Sequence, residues 1–476
     1  MEERTQNKKF FDINKNTFLG AMLMLIALLI VSIVLTYIVP RGQFGTTIVD
    51  GEEVIDYSNY IALDGESGIN IIKGIFAPVL VLLSSDGITV IMLSLFLIIL
   101  AGSFQGMSDS GGIRVIVSRI VNRFKNKRFL LIAVVTLVFM LFGSILGLFE
   151  EMLTLLPVMV ILSLSLGYDS FTGFLISIVA CGFGFSTAIS NPFTVMFASQ
   201  VIGVSPFANI GYRLIIFAVM YLFVLTVIYL YTRKITKNPE KSLTYEHDLQ
   251  YSERESLDLK EEDKSKFVTY LIFFSVVLAV IIAFSAIESL RDYIVPALMV
   301  IFLFGANIAN YFSFNRNFKT TMKSFGKGVV SALPAIVFVM FASSIKYVLV
   351  EGKVLPTIIN TINGLVAEKN TYLIALILFV IVLALEFFIT SSTAKAMFIM
   401  SILAVLNLGI SKENLVLLYT FADGYTNLLF PTSPVLLIGL SMIGVSYFQW
   451  LKKSWLMFLI TFTLVFGFLT LAILLG

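Results

Sequence analysis

The sequence predicts an all-α polytopic membrane protein with two inverted-topology repeats, each holding a re-entrant helical hairpin and a broken transmembrane helix. The chain has 476 residues, 58% hydrophobic and 13% charged, whereas a soluble domain is roughly 45–50% apolar and 25% charged. Apolar runs long enough to cross a bilayer recur along it. Two of these runs are interrupted by polar segments that contain proline.

The interruptions are residues 186–194, which read STAISNPFT, and residues 423–434, which read DGYTNLLFPTSP. Similar sequences follow them, SQVIGVSPF and GLSMIGVSYF. An unsatisfied backbone group in hydrocarbon costs several kcal/mol, so a broken helix is tolerated only where it faces protein or a water-filled cavity. Two broken helices at corresponding places in two halves indicate a transporter site.

Composition excludes several classes of protein. The net charge of +3 is too small to imply a nucleic-acid partner, and the expected partners are a small-molecule substrate and the lipid bilayer. The single Cys181 excludes an internal disulfide, and the single His247 excludes a histidine-based metal cluster. The first apolar run, 17–39, is too long for a signal peptide and is interpreted as a retained anchor.

The distribution of basic residues predicts the topology. Lysines and an arginine before residue 17 predict a cytoplasmic N-terminus in the cell (inner) membrane, and the count of spans then places the C-terminus outside. Residues 40–66 are predicted to be an acidic external loop, and residues 68–83 an interfacial segment. In the second half, an interfacial segment is expected before a span at 334–350.

The order of segments repeats at an offset of roughly 240 residues. This repeat predicts three parts: a first membrane repeat at 1–232, a charged cytoplasmic linker at 233–266, and an extra span plus second repeat at 267–476. Asn191-Pro192 aligns with Ser433-Pro434. The first unit starts inside and the second outside, as in secondary transporters. His247 falls in the linker and is predicted to be a solvent-exposed loop histidine.

Four motifs, GLFEEM, STAISNPFT, DGYTN followed by PTSP, and VPRGQF after the first span, resemble the YfcC branch of the anaerobic C4-dicarboxylate carrier family, in the ion transporter superfamily. The resemblance covers nearly the whole chain. It implies a scaffold domain and a transport domain of two hairpins and two unwound helices. It also implies ion-coupled or exchange transport of small carboxylates or amino acids, including arginine–ornithine exchange. The second hairpin tip, TSSTAKA, departs from the superfamily pattern by placing Lys395 where small polar residues are expected.

The broken helices are the first group of candidate binding residues. Freed carbonyls can coordinate a hard cation such as Na⁺, while half-helix N-termini present N–H groups to a carboxylate. The side-chain candidates are Ser186, Thr187, Ser190, Asn191 and Thr194 in the first half and Asp423, Thr426, Asn427, Thr432 and Ser433 in the second. The alternative is that these hydroxyls bond to their own helix and the prolines only kink it.

The hairpin tips are the second group. Glu150 and Glu151 lie between apolar arms at 129–147 and 152–166, where ionisable residues are functional candidates by default. One could bind a substrate amino group while the other carries a proton; if the arms span fully, both are loop acids. The opposite tip supplies Thr390, Ser391, Ser392, Thr393 and Lys395. Lys395 could hold a substrate carboxylate or pair with Glu386 or Asp423.

The sequence therefore predicts a secondary transporter, coupled to Na⁺ or H⁺, of amino acids or C4-dicarboxylates, with no cofactor. An obligate exchanger of amino acids is the alternative mechanism, and an ion channel is the alternative class. An intramembrane serine protease would need a histidine near its serine, and no HExxH zinc signature occurs. The substrate, and whether the protein forms a homodimer, are left open.

Overall fold

The computed structural model describes residues 15–49, 52–63, 68–85, 87–124, 127–252, 264–366, 370–387, 392, 395–396, 399–400, 403 and 409–475. Within these ranges the chain is mostly helical, and seven helices are long and apolar enough to cross a membrane: Phe18–Ile38, Gly87–Asp109, Arg128–Leu146, Ile210–Lys237, Ile294–Ser313, Phe318–Glu351 and Tyr447–Leu475. The predicted all-α polytopic fold is confirmed. The inverted relation of the two halves stays a prediction.

Within the described part of the chain, one β-hairpin departs from the helical fold. Strands β1 (Gly42–Val49) and β2 (Glu52–Ala62) pair antiparallel where a polar loop is predicted, with a register shift between Phe44 and Gly45. The Tyr60 hydroxyl lies 2.8 Å from the Thr357 hydroxyl. The sequence GQFGTTIV carries the β-branched residues that favour a strand, but the acidic residues that follow outweigh them in a composition-based prediction.

One group of helices, called here the first group, packs around two long antiparallel helices, α4 and α16, with α1 alongside. Its helices are α1 (Lys15–Ile38), α2 (Ile71–Ile75), α3 (Ala77–Leu80), α4 (Gly87–Asp109), α5 (Gly112–Arg123), α13 (Lys264–Ala286), α14 (Ile294–Val300), α15 (Asn307–Ser313), α16 (Phe318–Glu351) and α17 (Leu355–Val366). A π-helical turn, Ile301–Ala306, joins α14 to α15.

Helix α16 corrects the predicted topology. It is one continuous helix of 34 residues with Pro334 inside, so an interfacial segment before a separate span at 334–350 is wrong. Proline removes one backbone hydrogen bond, which membrane helices tolerate when neighbouring helices support the turn. Gly328 of α16 lies directly against the backbone of Ala101 and Gly102 on α4. This close packing supports the helix next to its proline.

Buried polar contacts fix the first group where α4, α13 and α15 meet. The Tyr270 hydroxyl donates to the Asn310 side-chain oxygen over 2.8 Å, and the Asn310 amide donates to the Ser103 carbonyl over 3.0 Å. Ser110 lies 2.6 Å from the Tyr270 hydroxyl. Because all four residues are buried, these bonds hold three helices in one arrangement.

The remaining helices form a second group that contains one complete hairpin, an arm of the other, and both broken helices. Its helices are α6 (Arg128–Leu141), α7 (Leu156–Ser165), α8 (Ser170–Phe174), α9 (Ala180–Ser186), α10 (Phe197–Ile202), α11 (Ile210–Lys237), α12 (Tyr245–Ser252), α18 (Thr371–Glu386), α19 (Lys412–Leu429), α20 (Pro434–Met442) and α21 (Tyr447–Leu475). A π-helical turn, Pro192–Met196, leads into α10, so the first interruption covers residues 187–191 and the second residues 430–433. Both fall within the predicted broken stretches.

The first part of the linker is folded and docked. After α11 ends at Lys237, helix α12 places the Asp248 carboxylate 2.9 Å from the Ser170 backbone N–H, at the start of α8. Ser242 donates to Asp169 over 2.6 Å. His247 lies against Gly444 with its side chain 26% exposed. The prediction of a solvent-exposed loop histidine is therefore wrong, because local polarity does not show that a segment docks.

Candidate functional site

The first hairpin has its tip inside the molecule. Helix α6 continues as a π-helical turn, Phe142–Leu146, and Gly147 reverses the chain at a φ of 69°, which favours glycine. The returning arm α7 has 10 residues and is about 15 Å long, half of the roughly 30 Å hydrocarbon thickness. An arm of that length does not cross a bilayer, which supports a re-entrant hairpin.

Glu150 is the exposed residue of this tip. Leu148, Phe149 and Met152 around it are buried, and Glu151 is partly buried. A short 3₁₀ segment, Glu150–Thr154, starts here and packs against α4 and α20. An exposed carboxylate between buried apolar neighbours is accessible to a solute, as a ligand-binding group must be.

A buried charge cluster lies at the second hairpin. The Lys395 ammonium is 2.6 Å from the Asp423 carboxylate and also contacts the Glu386 carboxylate at the end of α18. The side chains of Lys395 and Asp423 are 0% exposed, and that of Glu386 is 3% exposed. Buried charges persist only where they are paired or hydrogen-bonded, so this cluster depends on all three members.

Asp423 links the broken helix α19 to the second hairpin. One of its oxygens accepts a hydrogen bond from the Ser392 hydroxyl over 2.8 Å, and the other lies 3.1 Å from the Tyr419 hydroxyl. The described residues at the two tips and beside them thus include four acidic residues, Glu150, Glu151, Glu386 and Asp423, and one lysine, Lys395.

The first unwound stretch is fastened to the first hairpin by Ser144. The Ser144 hydroxyl donates to the Thr187 carbonyl over 3.1 Å and accepts the Ile189 N–H over 2.9 Å. The Asn191 amide donates to the Gly143 carbonyl over 3.2 Å. Backbone groups left over by the helix break thus find partners on a neighbouring arm, as membrane-embedded irregular backbone requires.

The two broken helices touch where Gly424 of α19 meets Ser186 of α9. A Cβ atom on Gly424 would collide with the Ser186 backbone. Glycine is needed here because the helices approach too closely for a side chain between them. The end of α9 and the middle of α19 are held in contact at the level of Asp423.

The structure shows that several candidate hydroxyls bond to their own helix. Ser186 donates to the Gly182 carbonyl over 2.9 Å, Thr187 to the Phe183 carbonyl over 2.8 Å, and Thr426 to the Asp423 carbonyl over 2.8 Å. The alternative interpretation, that these hydroxyls bond to their own helix, therefore describes the contacts of Ser186, Thr187 and Thr426. Asp423, Thr426 and Asn427 also lie within α19, not in the break that follows Leu429.

The other candidates differ in what they contact. Asn191 and Ser433 cap the half-helices that follow the two breaks. Ser190 and Asn427 are partly exposed, Thr432 is buried, and the buried Thr194 hydroxyl has no hydrogen-bond partner in the described part of the chain. Thr390, Ser391 and Thr393 lie outside the described residues. The functional roles of all of these residues stay predictions.

Two residues of the site were not predicted from the sequence. Tyr419 precedes Asp423 by four residues on α19, a spacing that places both on one helix face, so its position could have been inferred. Ser144 lies in an apolar helical arm, where a single serine usually bonds to its own helix. Nothing in its local sequence indicates that it fastens the unwound stretch.

The helical fold, the charged tips and the two broken helices together define an integral membrane transport protein with several spans. A family model described as the C4-dicarboxylate anaerobic carrier, DcuC, matches residues 19–474. The chain belongs to this family, and the resemblance noted in the sequence is confirmed.

Relatives extend the comparison. The chain is 25% identical over 454 residues to YfcC of Escherichia coli K12, whose assigned name proposes a basic amino acid antiporter; the match covers 88% of each chain. It is 24% identical over 365 residues to an uncharacterised Haemophilus influenzae protein, covering 75% of this chain and 70% of that protein.

Two solved structures are also similar. The YdaH transporter of Alcanivorax borkumensis matches with a TM-score of 0.46 at 16% identity, covering 96% of this chain and 98% of YdaH. MtrF of Neisseria gonorrhoeae, described as an antimetabolite efflux pump, matches with a TM-score of 0.44 at 16% identity, covering 94% of each chain.

Proposed function

We propose that this protein is a secondary active transporter of amino acids that carry a cationic side chain, working by exchange. The observation that carries the proposal is the excess of acidic groups at the tips, where four described acidic residues accompany one buried lysine. A C4-dicarboxylate would bring two more negative charges to this cluster, and repulsion between like charges disfavours its binding. A cationic amino acid brings a net positive charge that the cluster attracts.

The name of the Escherichia coli relative supports the same substrate class, because it proposes a basic amino acid antiporter. The family description, in contrast, names C4-dicarboxylates. Charge at the site favours the amino acid over the dicarboxylate within this family. The proposed transport is by exchange of amino acids, and it includes coupling to Na⁺ or H⁺.

The arrangement of helices suggests how the site would cross the membrane. The first hairpin, α18 and both broken helices belong to the second group, which meets the first mainly through α7, α18, α20 and the first tip. We expect the second group to move as a unit past α1, α4, α5 and α16, as in an elevator. Helix α12 docks on the second group and would travel with it.

Transport into proteoliposomes tests the proposal. Vesicles loaded with ornithine should take up radiolabelled arginine in a saturable manner, and vesicles loaded with succinate should not take up radiolabelled succinate. Saturable exchange of succinate with no uptake of arginine would contradict the substrate assignment. An arginine-independent ohmic current would instead indicate a channel.

A further inference from the structure

Lys395 has two acidic partners, and they lie on different elements. Glu386 ends helix α18, whereas Asp423 lies in the middle of the broken helix α19. The Lys395 ammonium contacts both carboxylates. A flexible lysine side chain placed between two carboxylates can transfer its main contact from one to the other with a small movement.

Asp423 is the partner that lies beside the broken helices, because the next residue, Gly424, packs directly against the backbone of Ser186 at the end of α9. Ser392 and Tyr419 orient the two oxygens of Asp423. Glu386 lies at the end of α18, next to the buried side chains of that arm.

We propose that Lys395 is a built-in counter-ion that neutralises Asp423 when no substrate is bound and moves toward Glu386 when the cationic group of a substrate takes its place. The inference rests on the proposed function, because it requires a cationic substrate. Lys395 acts here as a positioning residue, and Asp423 is the group that contacts the substrate.

This arrangement affects how the carrier without substrate returns across the membrane. A carboxylate without a cation is costly to carry through hydrocarbon, so a carrier whose Asp423 is bare would return across the membrane very slowly. With Lys395 in place the empty site keeps a paired Asp423. Exchange is therefore preferred but not obligatory, and Lys395 sets how much net transport accompanies exchange.

Two flux measurements on the same proteoliposomes test the inference. Exchange is measured as radiolabelled arginine uptake against internal arginine, and net transport as arginine uptake into vesicles with no amino acid inside. Lys395→Met is expected to lower net transport at least about tenfold while exchange stays within about threefold. Lys412→Met, at an exposed lysine at the start of α19, serves as the control and should change neither.

A second variant covers the case in which Lys395→Met does not fold. Lys395→Met combined with Glu386→Gln removes the carboxylate that would otherwise be left buried without its cation, and it should show the same loss of net transport with exchange retained. Lys395→Arg keeps the charge and should keep net transport. Arginine should also bind the double variant about tenfold more tightly than the wild type, since it no longer competes with the lysine.

The opposing results are distinct. If net transport and exchange fall in parallel in the folded double variant, or if neither falls, Lys395 is not the counter-ion of the empty carrier. If the wild-type protein moves no cationic amino acid in either assay, the proposed function fails first.

Discussion

At the scale of single residues, the site is defined by where charge is buried and where it is open. Lys395, Glu386 and Asp423 are enclosed and satisfy one another, while Glu150 is exposed between buried neighbours. Removing one partner from a buried charge cluster strongly lowers the free energy of unfolding, because it leaves a buried charge unpaired. Exposed groups can be changed with little effect on folding, so Glu150 offers the clearest separation of function from stability.

Glu150→Gln is expected to reduce arginine uptake at least about tenfold, because it removes a charge that would contact the cationic substrate. Its melting temperature should stay close to that of the wild type, since glutamine has the shape of glutamate and the side chain it replaces is exposed. Uptake into proteoliposomes and thermal unfolding in detergent give the two readouts. Glu351→Gln, at an exposed acid at the end of α16, is the control; equal uptake by both variants would contradict a role for Glu150.

The sequence predicts part of this residue-level picture. Two adjacent acids between apolar arms are sufficient to identify Glu150 and Glu151, and a lysine in a polar tip is sufficient to identify Lys395. Which of the two glutamates is exposed depends on the turn at Gly147 and the 3₁₀ segment after it. That orientation is set by packing of the tip on α4 and α20, which no local pattern encodes.

At the scale of elements, the contact between the broken helices α9 and α19 determines the position of Asp423. Gly424 lies directly against the Ser186 backbone, and the unwound stretch after α9 is fastened by Ser144. The breaks themselves are predictable because proline and polar residues coincide in an apolar run. The close approach of the two helices is not predictable, because a glycine occurs in a membrane helix for several structural reasons.

Gly424→Ala is expected to destabilise the protein by about 1–3 kcal/mol, because inserting a methyl group into a packed contact forces the backbones apart. The melting temperature in detergent should fall, and arginine exchange should fall with it. Gly467→Ala is the matched control, since a Cβ at that position in α21 meets no atom within 4 Å. A Gly424→Ala protein as stable as the control would show that the helices can separate at no cost.

The docked linker gives a second prediction at this scale. Asp248 accepts hydrogen bonds from the Ser170 N–H and from the Thr244 hydroxyl, at 2.9 and 2.6 Å. Asp248→Ala should release α12 and speed cleavage by trypsin at Lys241, an exposed residue, by about tenfold, since proteolysis follows local opening. Glu246→Ala, at an exposed position on the same helix, should leave the cleavage rate unchanged. Equal rates in both variants would contradict docking.

At the scale of the whole molecule, the two helical groups differ in the polar residues that they contain. The first is fixed by buried polar contacts around Tyr270 and Asn310, and the second carries the charged tips. The repeat in the sequence suggests two halves in order along the chain, but each packed group takes helices from both halves. Long-range packing, such as that of α4 against α16, determines which helices share a group. A pattern of apolar runs does not reveal that packing.

If the protein works as proposed, both broken helices face one substrate site. In a Cys181→Ser background, single cysteines are placed at Ser190 and at Asn427, which are partly exposed beside the two breaks, and the rate of modification by a small thiol reagent is measured with and without arginine. We expect arginine to slow modification at both positions and not at the exposed control Ser205→Cys. Modification at Ser190 and Asn427 that is unaffected by arginine, with each position reached from an opposite side of the membrane, would contradict the account.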